Sequence, residues 1–362
     1  MNQRLLLGST ALVGAGILFA GTAPAQAQAQ GQSPIKVILG GYTEFGGQAA
    51  TDETLQSDPD QGYSFYMDNE VHITAEAVTS GGLTYGSYLE MEAGSGDAPA
   101  LQASDDGGNV SVDEVNLFFS GGFGRAELGR QDGVEDVMFV GAEDAQSGTG
   151  GIDGDTANLP SVYHLSWGDQ TKATYFTPRI GGFQLGANYM PDASDTGGRD
   201  TDGFGDAFAL GANWVGAFSG VDLTLSAVAF YANNNGGVVI NPQTGGVTND
   251  DAKDYAVGGL LGLGGLSFGA TFGQRTDFDE STFWNVGLKY QFGAASASVG
   301  YAFDHPDAGD DQNFFVVSGD LALMPGVTLK ADVSYNDEDP GKDDFTGPGD
   351  TIAGVATIQL DY

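Results

Sequence analysis

Between Gln131 and Gln170 the chain carries Asp132, Glu135, Asp136, Glu143, Asp144, Asp153 and Asp155, and no lysine or arginine. Carboxylates gathered without cations suit two kinds of chemistry. They can hold hard cations through several oxygens, or they can line a constriction and favour cations over anions there. A second charged set, Lys36, Glu44, His72, Glu76, Glu90, Glu92, Glu114, Arg125, Glu127 and Arg130, is spread over segments that alternate in polarity. Catalysis finds no comparable support. His72, His164 and His305 are scattered, and cysteine is absent. No nucleophile elbow, His-Glu-x-x-His, phosphate-binding loop or dinucleotide fingerprint occurs. The chain reads as a non-enzyme that needs no cofactor.

The acid-rich stretches Asp195–Asp206, Asp304–Asp311 and Asp337–Asp344 are a third candidate. None has the spacing of the helix–loop–helix calcium motif. Surface solvation accounts for them, and structural Ca2+ bridging such loops is the alternative. With 49 acidic against 12 basic residues the net charge is −37, which excludes nucleic acid and other polyanions as partners.

The elements that would position these groups are strands. Arg4, the uncharged stretch from Leu5 to Ala20 and the overlapping small-residue sites ending at Ala25, Ala27 and Ala29 form the layout of an export leader. Residues 1–27 are therefore read as a cleaved signal peptide and 28–362 as one domain. Beyond the leader no stretch approaches the length of a membrane-spanning helix. A membrane location would then demand a closed barrel, since only helices and barrels satisfy the backbone in lipid. The 59 glycines come with 11% aromatic residues, which argues against disorder and for many short strands joined by glycine turns.

Period-two alternation recurs from residue 35 onward. Val71, Ile73 and Ala75 oppose His72, Thr74 and Glu76, and Val327, Leu329, Ala331 and Val333 oppose Thr328, Lys330 and Asp332. Short turns such as Ser80-Gly81-Gly82 and Met324-Pro325-Gly326 take turns with long acidic loops. That is the arrangement of an outer-membrane barrel. Counting the apolar run Val162–Trp167 as a strand breaks this alternation. Leaving it out restores the pattern and gives sixteen strands, from 35–46 to 351–362, with both ends on the short-turn side. Residues 131–170 then form one loop after the fifth strand, and a loop that long is uncommon unless functional. Its length favours folding into the lumen; a solvated outer loop is the alternative.

Val115-Asn116-Leu117-Phe118-Phe119-Ser120-Gly121-Gly122-Phe123-Gly124-Arg125-Ala126-Glu127-Leu128-Gly129-Arg130 resembles the strand, turn and strand before the third loop of general bacterial porins, the alphaproteobacterial kind most of all. The terminal Tyr362 is similar to the aromatic assembly signal of such barrels. The resemblance implies an all-β, sixteen-stranded antiparallel transmembrane barrel, trimeric, in the outer membrane of a Gram-negative bacterium, its third loop folded into the lumen. It also implies passive diffusion of small hydrophilic solutes and ions, with outer-membrane lipid around the barrel and the acidic loop as constriction.

Two departures stand out. Asp68, Asn69 and Glu70 lie where such porins carry arginines, and basic wall residues are few. Arg125 shares a parity with Glu127 and should face water. Arg130 has the opposite parity and sits at the rim; either arginine could pair with the loop carboxylates across the lumen, or serve only as a structural ion-pair partner. The second charged set, from Lys36 to Arg130, should line the lumen along the barrel wall, because charge on the lipid face is destabilising, and its acidic excess favours cations. A substrate-specific outer-membrane channel and a soluble, secreted, acidic β-rich binding protein are the alternatives.

Overall fold

The computed structural model describes residues 33–51, 63–93, 110–156, 159, 164–192, 204–235, 239–240, 247–248, 250–276, 280–307, 311–338 and 351–362. The leader reading and its cut sites lie outside these residues, as do most of the acid-rich loops. Sixteen strands form one closed antiparallel barrel. They are β1 (Lys36–Ala50), β2 (Tyr63–Val78), β3 (Thr84–Ala93), β4 (Val110–Gly121), β5 (Gly124–Arg130), β6 (Thr171–Phe176), β7 (Phe183–Asp192), β8 (Phe204–Phe218), β9 (Val221–Asn234), β10 (Ala252–Leu263), β11 (Leu266–Arg275), β12 (Ser281–Phe292), β13 (Ala295–Pro306), β14 (Gln312–Met324), β15 (Val327–Glu338) and β16 (Thr351–Asp361). A two-stranded ribbon, Val239–Ile240 with Val247–Thr248, stands apart from the wall.

Each strand pairs with its sequence neighbours, and β16 closes on β1 with Tyr42 opposite Asp361. Gly41 and Tyr362 exchange backbone hydrogen bonds of 3.1 Å at this seam. Closure removes the sheet edge, so every wall strand has a partner on both sides. The sixteen predicted strands are all present, and several reach farther into the loop side than the sequence suggested. β1 continues to Ala50 and β10 begins at Ala252. At the short turns Gly264 (φ +62°) and Gly326 (φ +76°) adopt the left-handed backbone that a tight reversal needs.

The wall has two chemically opposite faces. Leu39, Phe65, Leu117, Leu185, Leu210, Val257, Val299, Val317 and Val333 are 47–67% exposed, and they occupy the outward parity of nine strands. Their neighbours Thr174, Asn188, Ser226, Thr271, Ser298 and Asp332 face the other way and are buried. A soluble monomer does not display an apolar band around its whole circumference; a barrel in lipid does. Exposed aromatics mark the two borders of this band. Phe45, Phe65, Tyr189, Phe208, Trp284 and Phe315 stand toward the long-loop end, and Phe183, Phe218, Tyr290 and Phe292 stand at the short-turn end. Trp284 and Phe292 are separated by about 27 Å of tilted strand at about 3.4 Å per residue, which suits a membrane band.

Candidate pore and its internal loop

The chain leaving β5 turns inward. A single helical turn, α1 (Val134–Val137), is followed by 3-10 turns at Glu143–Ala145 and Gly151–Asp153. Hydrogen bonds tie this loop to strand after strand. Gln131 Nε2 donates to Thr174 Oγ1 on β6 (2.9 Å), and the Val134 N–H donates to Asn188 Oδ1 on β7 (2.8 Å). The Val140 N–H donates to Ser226 Oγ on β9 (3.0 Å), and the Ala142 N–H to Thr271 Oγ1 on β11 (2.9 Å). The Ser147 N–H donates to Ser298 Oγ on β13 (2.8 Å), and the Thr149 N–H to Asp332 Oδ2 on β15 (2.7 Å). Tyr66 OH on β2 then donates to Asp155 Oδ2 at 3.2 Å. Only a segment inside a closed cylinder can touch strands so far round its circumference.

Packing adds to these bonds. Val134 and Met138 are buried with Phe176, Met190, Phe204 and Phe230, and Ala142 and Ile152 are buried with Ala302, Phe314 and Val316. Each large side chain so buried stabilises by about 1.5–3 kcal/mol, against about 1 kcal/mol for a typical hydrogen bond. With three large side chains and seven hydrogen bonds, the two contributions are of similar size; burial holds the loop against the wall, and the hydrogen bonds set its position. The return leg packs inward too: Leu165 is buried and Trp167 stacks on Phe230 at 4.1 Å between centroids. The described part of Val162–Trp167 is thus outside the wall, as the alternation of turns required.

Glycine has a use here that its turn-forming role had hidden. Gly269, Gly287 and Gly300 lie directly across from one another on β11, β12 and β13. Side chains there would collide with the Gly141 carbonyl, with the Ala142 carbonyl and Gln146, and with Ile152. Gly186 and Gly211, paired across β7 and β8, would meet Met138 Sδ. These glycines carve the bed in which the loop backbone rests, the close approach that only a missing Cβ permits.

The loop acids do not form one open ring. Glu135 and Asp136 are buried, while Asp132, Glu143, Asp144, Asp153 and Asp155 keep partial exposure. Burial holds the Glu135 carboxyl above its ordinary range, with Lys172 opposing that shift. Burial and the neighbouring Asp144 push Glu143 up to about 8. Burial, with Glu44 beside it, pushes Asp155 up to about 7. Burial alone would lower the His164 imidazole, but Asp136, 3.6 Å away, together with Asp153 and Glu143 pushes it up to about 9. His164 is thus an internal counter-ion of the loop.

On the wall, Glu44 is buried beneath Tyr66, which donates to its Oε1 at 3.1 Å, and Lys330 Nζ lies 3.6 Å from Glu44 Oε2. Lys36 stands at the short-turn rim opposite Glu76. His72, Glu90 and Glu92 share the inward face of β2 and β3, and Glu114 Oε1 accepts from the Asp132 N–H at 3.1 Å. Arg125 pairs with Glu127 on its own strand and lies 4.4 Å over the Phe118 ring. Its place is therefore on the wall rather than across the lumen on the loop. Arg130 ends β5 opposite Val115 and Thr171, and its guanidinium, with Nε buried, lies within electrostatic reach of Asp113 on β4.

Sequence reasoning missed the cations Lys172, Lys289 and Lys330. Lys172 and Lys289 donate to the loop carbonyls of Gly168 and Gln146, both at 2.7 Å. Inward parity was the available signal. It also missed Asp254, which accepts from Trp167 Nε1 at 3.1 Å, and Asp332.

A closed barrel that is apolar outside and polar within, crossed internally by its own loop, defines an outer-membrane channel protein. Residues 8–341 match the Gram-negative porin family, and the chain belongs to it. Its place is the outer membrane of a Gram-negative bacterium, and proteins of this family and fold are known as channels rather than enzymes. Among solved structures, a triple mutant of the porin of Rhodopseudomonas blastica is 17% identical, with a TM-score of 0.63, and the match covers 90% of this chain and 100% of that one. A second variant of that porin is 18% identical at a TM-score of 0.60, with the same shares covered. A structure described under asymmetric conductivity of engineered proteins gives 17% and 0.64, again over 90% and 100%. At this identity the likeness concerns the fold. No curated protein matches the sequence.

Proposed function

We propose that the protein is a passive, cation-preferring diffusion channel for small hydrophilic solutes and ions, working as a homotrimer without cofactor or energy source. One observation carries the cation preference. The wall of β1–β4 turns Glu44, Asp68, Glu70, Glu76, Glu90, Glu92 and Glu114 to the inward parity, with Lys36 and His72 as the basic groups among them. Acidic lining lowers the energy of a cation in the lumen and raises that of an anion. The trimer rests on the family resemblance alone.

The reversal potential of the reconstituted protein under a KCl gradient tests this reading. It should sit toward the potassium equilibrium potential. A value at zero or toward the chloride potential would refute the cation preference, and absence of channels would refute the passive pore.

A further inference from the structure

We infer that Glu70, His72 and Glu90 form a binding site for a borderline divalent transition-metal cation, of the Zn2+ and Cu2+ class, on the open wall of the lumen. His72 Nε2 lies 2.9 Å from Glu70 Oε2 and 3.5 Å from Glu90 Oε2, and one ligand atom from each of the three falls within 4.8 Å of the others. Register explains the convergence. His72 stands directly opposite Glu90, and Glu70 lies two residues along the same face of β2. Directly opposed side chains in an antiparallel pair sit about 4.5–5.5 Å apart at Cβ, a span that one ion can bridge.

The donor set selects the class of ion. One imidazole nitrogen with two carboxylates suits Zn2+ and Cu2+ better than Ca2+ or Mg2+, which take oxygen alone and more of it. Three protein ligands leave a coordination position for water, the pattern of an exchangeable rather than a sealed site. Access supports this: the residue opposite His72 on β1 is Gly40, so no side chain covers the imidazole from that strand, and the His72 side chain keeps 34% of its surface exposed.

Two further features distinguish the cluster from a merely acidic patch. Tyr88 OH donates to Glu90 Oε2, and the Tyr88 ring lies 5.9 Å from that of His72. Such outer contacts orient metal ligands and are worth about 10- to 100-fold in affinity. Glu70 also stands directly opposite Glu92, a like-charge pairing that costs stability in a sheet and that a bound dication would relieve.

The test uses the full-length protein in detergent, so it does not depend on channel activity. Zn2+ titration should give one saturable site per chain, weakened at least ~10-fold by His72→Ala and about 10-fold by Tyr88→Phe. With Cu2+, electron paramagnetic resonance should show one coupled imidazole nitrogen that His72→Ala abolishes and His305→Ala leaves in place. Zn2+ on the lumen wall should also reduce the reconstituted current in a His72-dependent way. Failure to bind Zn2+, or binding and an unchanged copper spectrum in His72→Ala, would overturn the site even if channels form. His72-dependent binding to a protein that forms no channels would uphold the site while refuting the channel reading.

Discussion

The wall of β7–β15 and the wall of β1–β4 are built from the same alternation, yet they present opposite interiors. On the first, inward positions hold Asn188, Ser226, Thr271 and Ser298 with the glycines of β11–β13 between them, and the charged Asp254, Lys289 and Asp332 there are taken up in hydrogen bonds to the loop that covers them. On the second, inward positions hold Asp68, Glu70, His72, Glu90 and Glu92, which keep partial exposure. The contrast follows from what each must touch. A backbone laid against a wall needs small residues and polar partners at fixed spacing, each satisfied by a loop N–H or carbonyl. A wall facing water and ions needs charge that stays hydrated, since burying it would cost several kcal/mol per ion. One half of the barrel is therefore a seat, and the other half is the conducting surface.

The comparison can be broken most forcefully on the covered side. Gly287→Leu drives a side chain into the Ala142 carbonyl and Gln146. It should cost about 1–3 kcal/mol by overpacking and loosen residues 131–156. Urea unfolding and hydrogen exchange of the loop would record both effects. The same substitution at Gly122, where nothing approaches, should leave the loop unaffected.

On the open side, Glu70→Gln, Glu90→Gln and Glu114→Gln combined should lower the potassium-to-chloride permeability ratio several-fold. A charge about 4 Å from a passing ion in water is worth on the order of 1 kcal/mol. Ser226→Ala, on the seat, should leave that ratio near its starting value. A smaller effect comes from pH. Glu143 and Asp155 are pushed up to about 8 and about 7, so both are largely neutral at pH 6 and ionise as pH rises. Cation selectivity should thus increase from pH 6 to pH 8.5. A flat or falling profile would remove these two carboxylates from the conducting path.

Much of this contrast was legible in the sequence, though unevenly. Strand number and closure followed from period two, because alternation is a local property that survives in a single chain. Leaving Val162–Trp167 out of the wall was correct for the same reason: turn lengths are local too. The seat was not legible. Gly269, Gly287 and Gly300 meet only through register, and the loop atoms they accommodate lie more than a hundred residues away in the chain. Glu135 and Asp136 could not be distinguished from Asp132 by composition, since only the packing of α1 against β7 and β8 decides which carboxylates are buried.

The chain has no cysteine, so single thiols can report on each half without background. The most direct measurement compares His72→Cys, at a position whose side chain is 34% exposed, with Ser298→Cys, at one only 4% exposed. Each is treated with a membrane-impermeant, positively charged thiol reagent during bilayer recording. His72→Cys should react quickly and shift the current, while Ser298→Cys should stay protected beneath Ser147. Equal reaction at both positions, or modification of Ser298→Cys alone, would contradict the division of the lumen into a covered seat and an open acidic wall.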